Sequence, residues 1–179
     1  MLLSKHKVRR LILLGGLLGI VLAQDGTSLL PRALDSIKRH NFVVLSVGII
    51  SDRVPADLIT RLNSIQTQPP RQMRIFLTQS DFIGDMYRDF NFLVNDKQVN
   101  AIIIWPCPAT QDLTMIKKIC RMSKMKQIPV IAFSEDWLVN GALMYIKDSD
   151  NLTIVVNEAV REQMNYPISE NELYTLIYQ

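Results

Sequence analysis

Four short apolar runs alternate with longer amphipathic stretches along this chain, and that alternation limits the folds open to it. The apolar runs are rich in β-branched residues and span 42–50, 73–77, 99–105 and 129–133. Between them, apolar residues recur at helical spacing over 54–65, 82–94 and 113–125. The order predicts a βαβαβαβ unit: a single three-layer α/β domain with a mainly parallel sheet, right-handed crossovers and helices on both faces.

The chain ends in a different pattern. Two further strand-like runs, 141–146 and 152–156, flank a polar, turn-rich joint. They predict a C-terminal antiparallel hairpin at one edge of the sheet. A short helix is expected over 158–164.

Helices are also expected near both ends of the chain. Residues 27–39 place Leu30, Ala33, Leu34 and Ile37 at helical spacing, which predicts a short amphipathic helix leading into the domain. At the other end, Ser169 is followed three residues later by Glu172, the pattern of a capping box. We therefore expect a terminal helix over 169–178.

The first residues combine positive charge with an apolar run. Four basic residues precede the uncharged run 11–23, which ends in Val-Leu-Ala. This pattern predicts a secretory signal peptide cleaved after Ala23, since the run falls short of the roughly 20 residues that span a membrane. A retained N-terminal membrane anchor is the alternative, and both interpretations place the body in the periplasm or outside the cell. We divide the chain into a signal peptide over 1–23, an N-terminal amphipathic helix segment over 24–41 and a single α/β binding domain over 42–179.

Removing the predicted signal changes the charge balance. Four of the 20 Lys and Arg residues go with it, so 16 remain against 17 Asp and Glu, a net charge of −1. A phosphate-binding surface needs clustered cations on a basic domain, so we expect no nucleic acid partner. The remaining 156 residues are enough for one domain with a proper core.

The residue inventory argues against several kinds of catalysis. The single histidine beyond the predicted signal, His40, precedes the first strand and therefore lies at the sheet edge opposite the one that binds ligands. We expect no histidine triad and no metal site. The glycines Gly26, Gly48, Gly84 and Gly141 are too far apart to build a phosphate-binding loop, so no nucleotide cofactor is expected.

Two cysteines remain. Cys107 follows the third strand in Trp-Pro-Cys-Pro, and Cys120 lies about ten residues into the next helix. That separation along a helix is too long for a disulfide between them. Cys120 matches the apolar stripe of its helix, which favours a core position. Cys107 is either a packed loop residue or an exposed thiol able to pair with a partner or respond to redox state.

The carboxyl ends of the four parallel strands gather polar loops and both tryptophans of the chain. Hydroxyls, helix-start amides and an aromatic face at this edge suit a small molecule. The candidate ligand-binding residues are Ser51, Asp52, Thr78, Gln79, Trp105, Cys107, Thr110, Ser134, Glu135 and Trp137. The alternative is that the hydroxyl and carboxylate residues are ordinary helix caps and that Trp137 packs beneath the hairpin.

Two segments resemble known families. Val-Asn-Ala-Ile-Ile-Ile-Trp-Pro from Val99 and Gln-Ile-Pro-Val-Ile-Ala-Phe-Ser from Gln127 are similar to one lobe of the TrpX-like substrate-binding proteins of ABC transporters. The layout from Gly141 to Asn157 also resembles the YfiR-like periplasmic proteins, single domains that restrain a membrane-bound diguanylate cyclase. Either resemblance implies an α/β fold, an extracytoplasmic location and a binding role, and neither assigns a functional residue.

These observations together predict a non-enzymatic, extracytoplasmic binding module. The first hypothesis is a YfiR-like regulatory or accessory subunit that docks a membrane protein. The alternative is a single-lobe receptor for a small ligand, related to ABC-transporter substrate-binding proteins, with a homo-oligomer as one way to rebuild a full cleft. A third hypothesis, an enzyme using Ser51 or Cys107 as nucleophile, ranks last.

Overall fold

The computed structural model describes residues 29–35, 37–38, 44–51, 54, 56–67, 72–80, 82–147, 152–168 and 174–179. Within them, the strands are β1 (Ser46–Ser51), β2 (Arg74–Gln79), β3 (Ala101–Ile104), β4 (Val130–Ala132), β5 (Met144–Lys147), β6 (Leu152–Val156) and β7 (Tyr174–Tyr178). They form one sheet in the order β2-β1-β3-β4-β5-β6-β7.

The described helices connect and cover these strands. They are α1 (29–35 and 37–38), α2 (Ala56–Thr67), α3 (Ile83–Asn91), α4 (Leu113–Lys126), α5 (Glu135–Val139) and α6 (Glu158–Met164). A π-helical turn, Phe92–Asp96, extends α3, and a 3-10 turn, Pro108–Gln111, precedes α4.

The strands β2, β1, β3, β4 and β5 are parallel, as the alternating sequence pattern predicts. One apolar cluster on the first face of the sheet joins α1, α2 and α6 to the strands through residues such as Leu34, Leu62 and Val160. A second cluster joins α3, α4 and α5 through residues such as Phe90 and Ile116. The predicted α/β fold with helices on both faces is thus confirmed.

Gly48 in β1 allows the closest packing on the second face. A Cβ atom at this position would lie 2.8 Å from Cδ1 of Leu93 and 2.9 Å from Cδ1 of Ile102, well inside contact distance. Both of these side chains are buried. The glycine therefore lets the π-helical turn after α3 press directly onto the central strand.

The C-terminal hairpin is confirmed, but it does not end the sheet. β5 and β6 pair antiparallel, with Tyr145 opposite Val155, while β5 itself runs parallel to β4. The predicted terminal helix over 169–178 is wrong, because β7 pairs parallel with β6 from Tyr174 to Tyr178. Tyr-Thr-Leu-Ile-Tyr is rich in β-branched and aromatic residues, and the edge of β6 supplies the partner that such a strand needs. Ser169 and Glu172 lie outside the described residues.

The N-terminal part is described from residue 29. α1 buries Leu30, Ala33, Leu34 and Ile37, the residues that gave the sequence its helical pattern. The predicted signal over 1–23 and His40 fall outside the described residues. Within the described part, no helix has both the length and the apolar character that a membrane span requires.

Candidate functional site

A hollow of about 310 Å³ opens at the carboxyl ends of β3 and β4. The loop that follows β3 forms one wall, and the start of α5, directly after β4, forms the other. The lining residues are Ile104, Pro106, Thr110, Gln111, Phe133, Ser134 and Asp136. This is the edge at which ligands bind in open α/β sheets, since the loops after parallel strands converge there.

A buried tryptophan joins the two walls. The indole Nε1 of Trp137 in α5 donates a hydrogen bond of 2.9 Å to the backbone carbonyl of Thr110. Trp137 is only 2% exposed, so this bond is shielded from water. The indole therefore fixes the distance between the loop after β3 and α5, and with it the width of the hollow.

The loop after β3 is shaped by Thr110. Its hydroxyl accepts a hydrogen bond of 2.9 Å from the backbone N–H of Cys107 and donates one of 2.8 Å to the carbonyl of the same residue. Pro108 begins the 3-10 turn at a position where a missing amide hydrogen costs little. The hydroxyl of Thr110 is thus bonded to the local backbone and stabilises the wall.

An aromatic pair lies beside the hollow, where β3 and β4 end. The rings of Trp105 and Phe133 meet edge to face, with centroids 5.4 Å apart and an interplanar angle of 68°. Both side chains are half-buried, and Phe133 lines the hollow directly. Phe133 and Ile104 thus give the hollow an apolar part of its lining.

Polar groups complete the lining. Ser134 is the residue before α5, and its side chain makes no capping hydrogen bond to that helix. Asp136 is exposed, and its carboxylate forms no salt bridge with any described residue. Gln111 adds a side-chain amide. The hollow is therefore lined by a carboxylate, a hydroxyl and a side-chain amide, together with Phe133.

The structure brings two of the ten predicted residues, Thr110 and Ser134, into the lining. Trp105 contacts the ring of Phe133 but does not line the hollow. Cys107, at 6% exposure, and Trp137 are buried beneath the loops. Phe133 and Gln111 line the hollow although the sequence did not single them out. Phe133 directly precedes Ser134, and Gln111 directly follows Thr110, so each could have been found as the sequence neighbour of a predicted residue.

The remaining predicted residues lie elsewhere. Ser51 is fully buried at the end of β1. The hydroxyl of Thr78 donates to the carbonyl of Ile49 at 3.4 Å, and Gln79 is exposed at the end of β2. Asp52 falls outside the described residues.

Glu135 belongs to another hollow, of about 350 Å³, on the face of β5, β6 and β7. Tyr145 lies in the same hollow, and burial raises the pKa of its hydroxyl, with the Glu135 carboxylate adding to the rise.

Both cysteines are free and buried. Burial raises the pKa of the Cys120 thiol to about 12, although the charge of Lys124 opposes the shift. For Cys107, burial supports the interpretation as a packed loop residue over that of an exposed, reactive thiol. No group of three or more His, Cys, Asp and Glu residues in the described segments is arranged to hold a metal ion.

The chain resembles known proteins in structure but not in sequence. No protein-family model matches the chain, and no curated protein matches it in sequence. The solved structures that share its fold include three with TM-scores of 0.56–0.62.

The first is a ligand-free, open substrate-binding protein with adhesive properties from Clostridium difficile (12% identity, TM-score 0.56, 82% of this chain and 58% of that one). The second is an ABC domain from Streptococcus pneumoniae in complex with L-Trp (10% identity, TM-score 0.62, 82% of this chain and 60% of that one). The third is a conserved domain protein from Vibrio cholerae (12% identity, TM-score 0.62, 83% of this chain and 60% of that one).

The likeness identifies the fold as one found in substrate-binding proteins of the ABC-transporter type. The chain matches 58–60% of the length of these proteins, so a substantial part of each has no counterpart in it. The YfiR-like resemblance gains no support from these structures.

Proposed function

We propose that this chain is a substrate-binding module that holds a small molecule in the hollow at the carboxyl ends of β3 and β4. The observation that carries the proposal is the position of this hollow, which lies at the ligand-binding edge of a sheet whose fold is that of substrate-binding proteins. The alternative hypothesis from the sequence, a single-lobe receptor, is therefore favoured over a YfiR-like subunit docked to a membrane protein.

The lining favours a ligand with an ammonium group beside an aromatic or apolar group. The Asp136 carboxylate and the Ser134 hydroxyl accept hydrogen bonds from an ammonium group, and charge-assisted bonds of this kind are stronger than neutral ones. Phe133, whose ring contacts Trp105, would pack against the aromatic or apolar group of the ligand. A volume of about 310 Å³ suits a molecule the size of an amino acid. One protein of similar fold is in complex with L-Trp, which makes that amino acid the first probe.

The hollow covers its ligand from one side. Since the matched proteins are longer, we propose that a second surface, from another copy of the chain or from a partner, closes over the ligand. The charged and apolar pattern of residues 1–23 supports export, so we place the module outside the cytoplasm.

Thermal-shift measurements with the aromatic amino acids and simple aromatic amines test this function. A ligand present at about 100 times its dissociation constant adds about 2.7 kcal/mol to the free energy of unfolding, which raises the melting temperature by several degrees. We expect L-tryptophan to give such a shift.

Two variants and a control assign the binding to the hollow. Asp136→Asn removes the charge of the carboxylate and is expected to weaken binding by about tenfold or more, since hydrogen bonds to charged groups contribute about 1.5–3 kcal/mol. Ser134→Ala is expected to have a smaller effect. Thr78→Ala, at the end of β2, is the matched control and should bind as the unmodified chain does. The proposal fails if no probe shifts the melting temperature, or if Asp136→Asn binds each probe as well as the unmodified chain.

A further inference from the structure

Positive charge is concentrated on helix α4. Its 14 residues carry five cations and no carboxylate. They are Lys117, Lys118, Arg121, Lys124 and Lys126. The chain as a whole has 20 Lys and Arg against 17 Asp and Glu, so this single helix carries a quarter of the basic residues. Such a concentration creates a local positive potential on a molecule that is otherwise close to neutral.

Three of these cations line a groove of about 330 Å³. Lys117, Arg121 and Lys124 are spaced i, i+4, i+7 and therefore form one stripe along the helix, about 10 Å long. Met125, together with Asn140 after α5 and Gln163 in α6, completes the lining. The groove is separate from the hollow at the ends of β3 and β4, with which it shares no lining residue.

The three cations lack carboxylate partners within the described chain. None of them forms a salt bridge there, although Arg161 on the neighbouring helix α6 pairs with Glu158. Lys118, on another side of α4, makes a cation–π contact, with its Nζ 3.8 Å from the ring centroid of Tyr87. The charge of the stripe is therefore available to a partner.

The side chain of Lys124 lies close to the backbone of Gly141. Gly141 has a φ of +108° and carries no side chain, and a Cβ there would lie 2.7 Å from Nζ of Lys124. The lysine side chain thus lies against the turn after α5 and is half-buried. At the rim, Met125 is 73% exposed, an adaptable apolar contact of the kind found on binding surfaces.

We propose that this groove is a docking site for an acidic segment of a protein partner. A stripe about 10 Å long, with three cations, matches two or three carboxylates along a peptide, whereas a single small anion would engage only part of it. Gln163 offers hydrogen bonds to a peptide backbone, and Met125 offers a contact to an apolar side chain.

Fluorescence anisotropy with a labelled peptide of alternating Glu and Leu residues tests the proposal. We expect saturable binding at an ionic strength of about 0.1 M and its loss at about 1 M, where the Debye length shortens from about 10 Å to about 3 Å. A peptide with Gln in place of every Glu should not bind. The triple variant Lys117→Gln/Arg121→Gln/Lys124→Gln should weaken binding by about tenfold or more.

The matched control is Arg61→Gln/Arg74→Gln/Lys126→Gln, which removes the same charge from exposed positions outside the groove. It should retain binding within about twofold of the unmodified chain. At the helical positions glutamine keeps helix propensity close to that of lysine and arginine, and Arg74 is exposed at the start of β2, so melting curves should show both variants folded.

Four results would overturn the proposal: no binding of the acidic peptide, equal binding of the Gln peptide, equal loss in the control variant, or complete displacement of the peptide by millimolar inorganic phosphate. Tighter binding to vesicles of anionic lipid than to the peptide, lost in the same triple variant, would assign the groove to membranes instead and would also refute it.

Discussion

The parallel part of the sheet and its C-terminal end are covered differently. Every residue of β1, β3 and β4 is buried, because helices lie on both faces of these strands. In β5 burial alternates, and the described side chains of β7 at Thr175, Ile177 and Tyr178 are exposed. The parallel strand β2, at the other edge of the sheet, is also partly exposed. The difference explains why β1, β3 and β4 lie in nearly continuous apolar runs, since a doubly covered strand has few polar residues.

The largest expected effect comes from the same truncation made in both parts. Ile103→Ala in β3 empties a fully buried site and should lower the free energy of unfolding by about 2–5 kcal/mol. Ile177→Ala in β7, where the side chain is 42% exposed, should cost about 1 kcal/mol or less. Urea denaturation of the two variants measures the contrast, and equal losses would show that the two parts of the sheet are covered alike.

A pair of glycines gives the next contrast. Gly48→Ala places a methyl group against Leu93 and Ile102 in the doubly covered part, and overpacking of this kind costs about 1–3 kcal/mol. Gly84→Ala lies on α3 with nothing within 4 Å of the added carbon, so it should be neutral or stabilise by up to about 1 kcal/mol. In calorimetry we expect Gly48→Ala to lower the melting temperature and Gly84→Ala to leave it unchanged or raise it. A neutral Gly48→Ala would contradict the close packing on β1.

The hydrogen bond that joins the walls of the hollow has an effect similar in size to that of Gly48→Ala. Trp137→Phe leaves the carbonyl of Thr110 without its indole partner in a buried site, and should cost about 1–3 kcal/mol. Trp105→Phe is the control, since the half-buried Trp105 is joined to Phe133 by an edge-to-face contact that phenylalanine can partly reproduce. Denaturant midpoints compare the two variants. A larger loss from Trp105→Phe would mean that the aromatic pair, and not the indole hydrogen bond, holds the two walls.

The same contrast explains what the sequence could predict. The runs around β1, β3 and β4 were identified because burial on both faces leaves few polar residues in them, and the β5–β6 hairpin was identified from its polar joint. β7 was missed because Tyr174–Tyr178 pairs with β6, a partner distant in sequence, while the capping pattern of Ser169 and Glu172 is a local signal for a helix. Non-local pairing overrode local propensity.

The site was predictable to a similar degree. Parallel strands guarantee that their loops meet at one edge, so the sequence identified the edge and the residues Thr110 and Ser134 that line the hollow there. The sequence did not reveal that the indole of Trp137 would donate a hydrogen bond to the carbonyl of Thr110, 27 residues away. Nor did it reveal that the hydroxyl of Thr110 would be hydrogen-bonded to the backbone of Cys107. Side-chain direction in loops depends on such contacts, and no periodicity records them.

A further expected effect arises only at alkaline pH. The pKa of the Cys120 thiol is raised to about 12 by burial, whereas an unfolded chain releases this proton near pH 9. Above pH 9 the unfolded state therefore binds fewer protons than the folded state, and the free energy of unfolding falls as pH rises. Cys120→Ala should make this decline shallower in denaturation curves recorded from pH 8 to about 11. Parallel profiles for the variant and the unmodified chain would contradict the burial of this thiol.

The measurement that tests the central claim most directly is a two-dimensional ¹H–¹⁵N NMR titration of the chain with L-tryptophan, with indole-3-propionate as the analogue that lacks the ammonium group. We expect saturable shifts centred on the amides of Gln111, Phe133, Ser134 and Asp136, with markedly weaker binding of the analogue. Shifts centred instead on Tyr145 and Ile177 at the open end of the sheet, equal binding of the two compounds, or no shifts at all would contradict it.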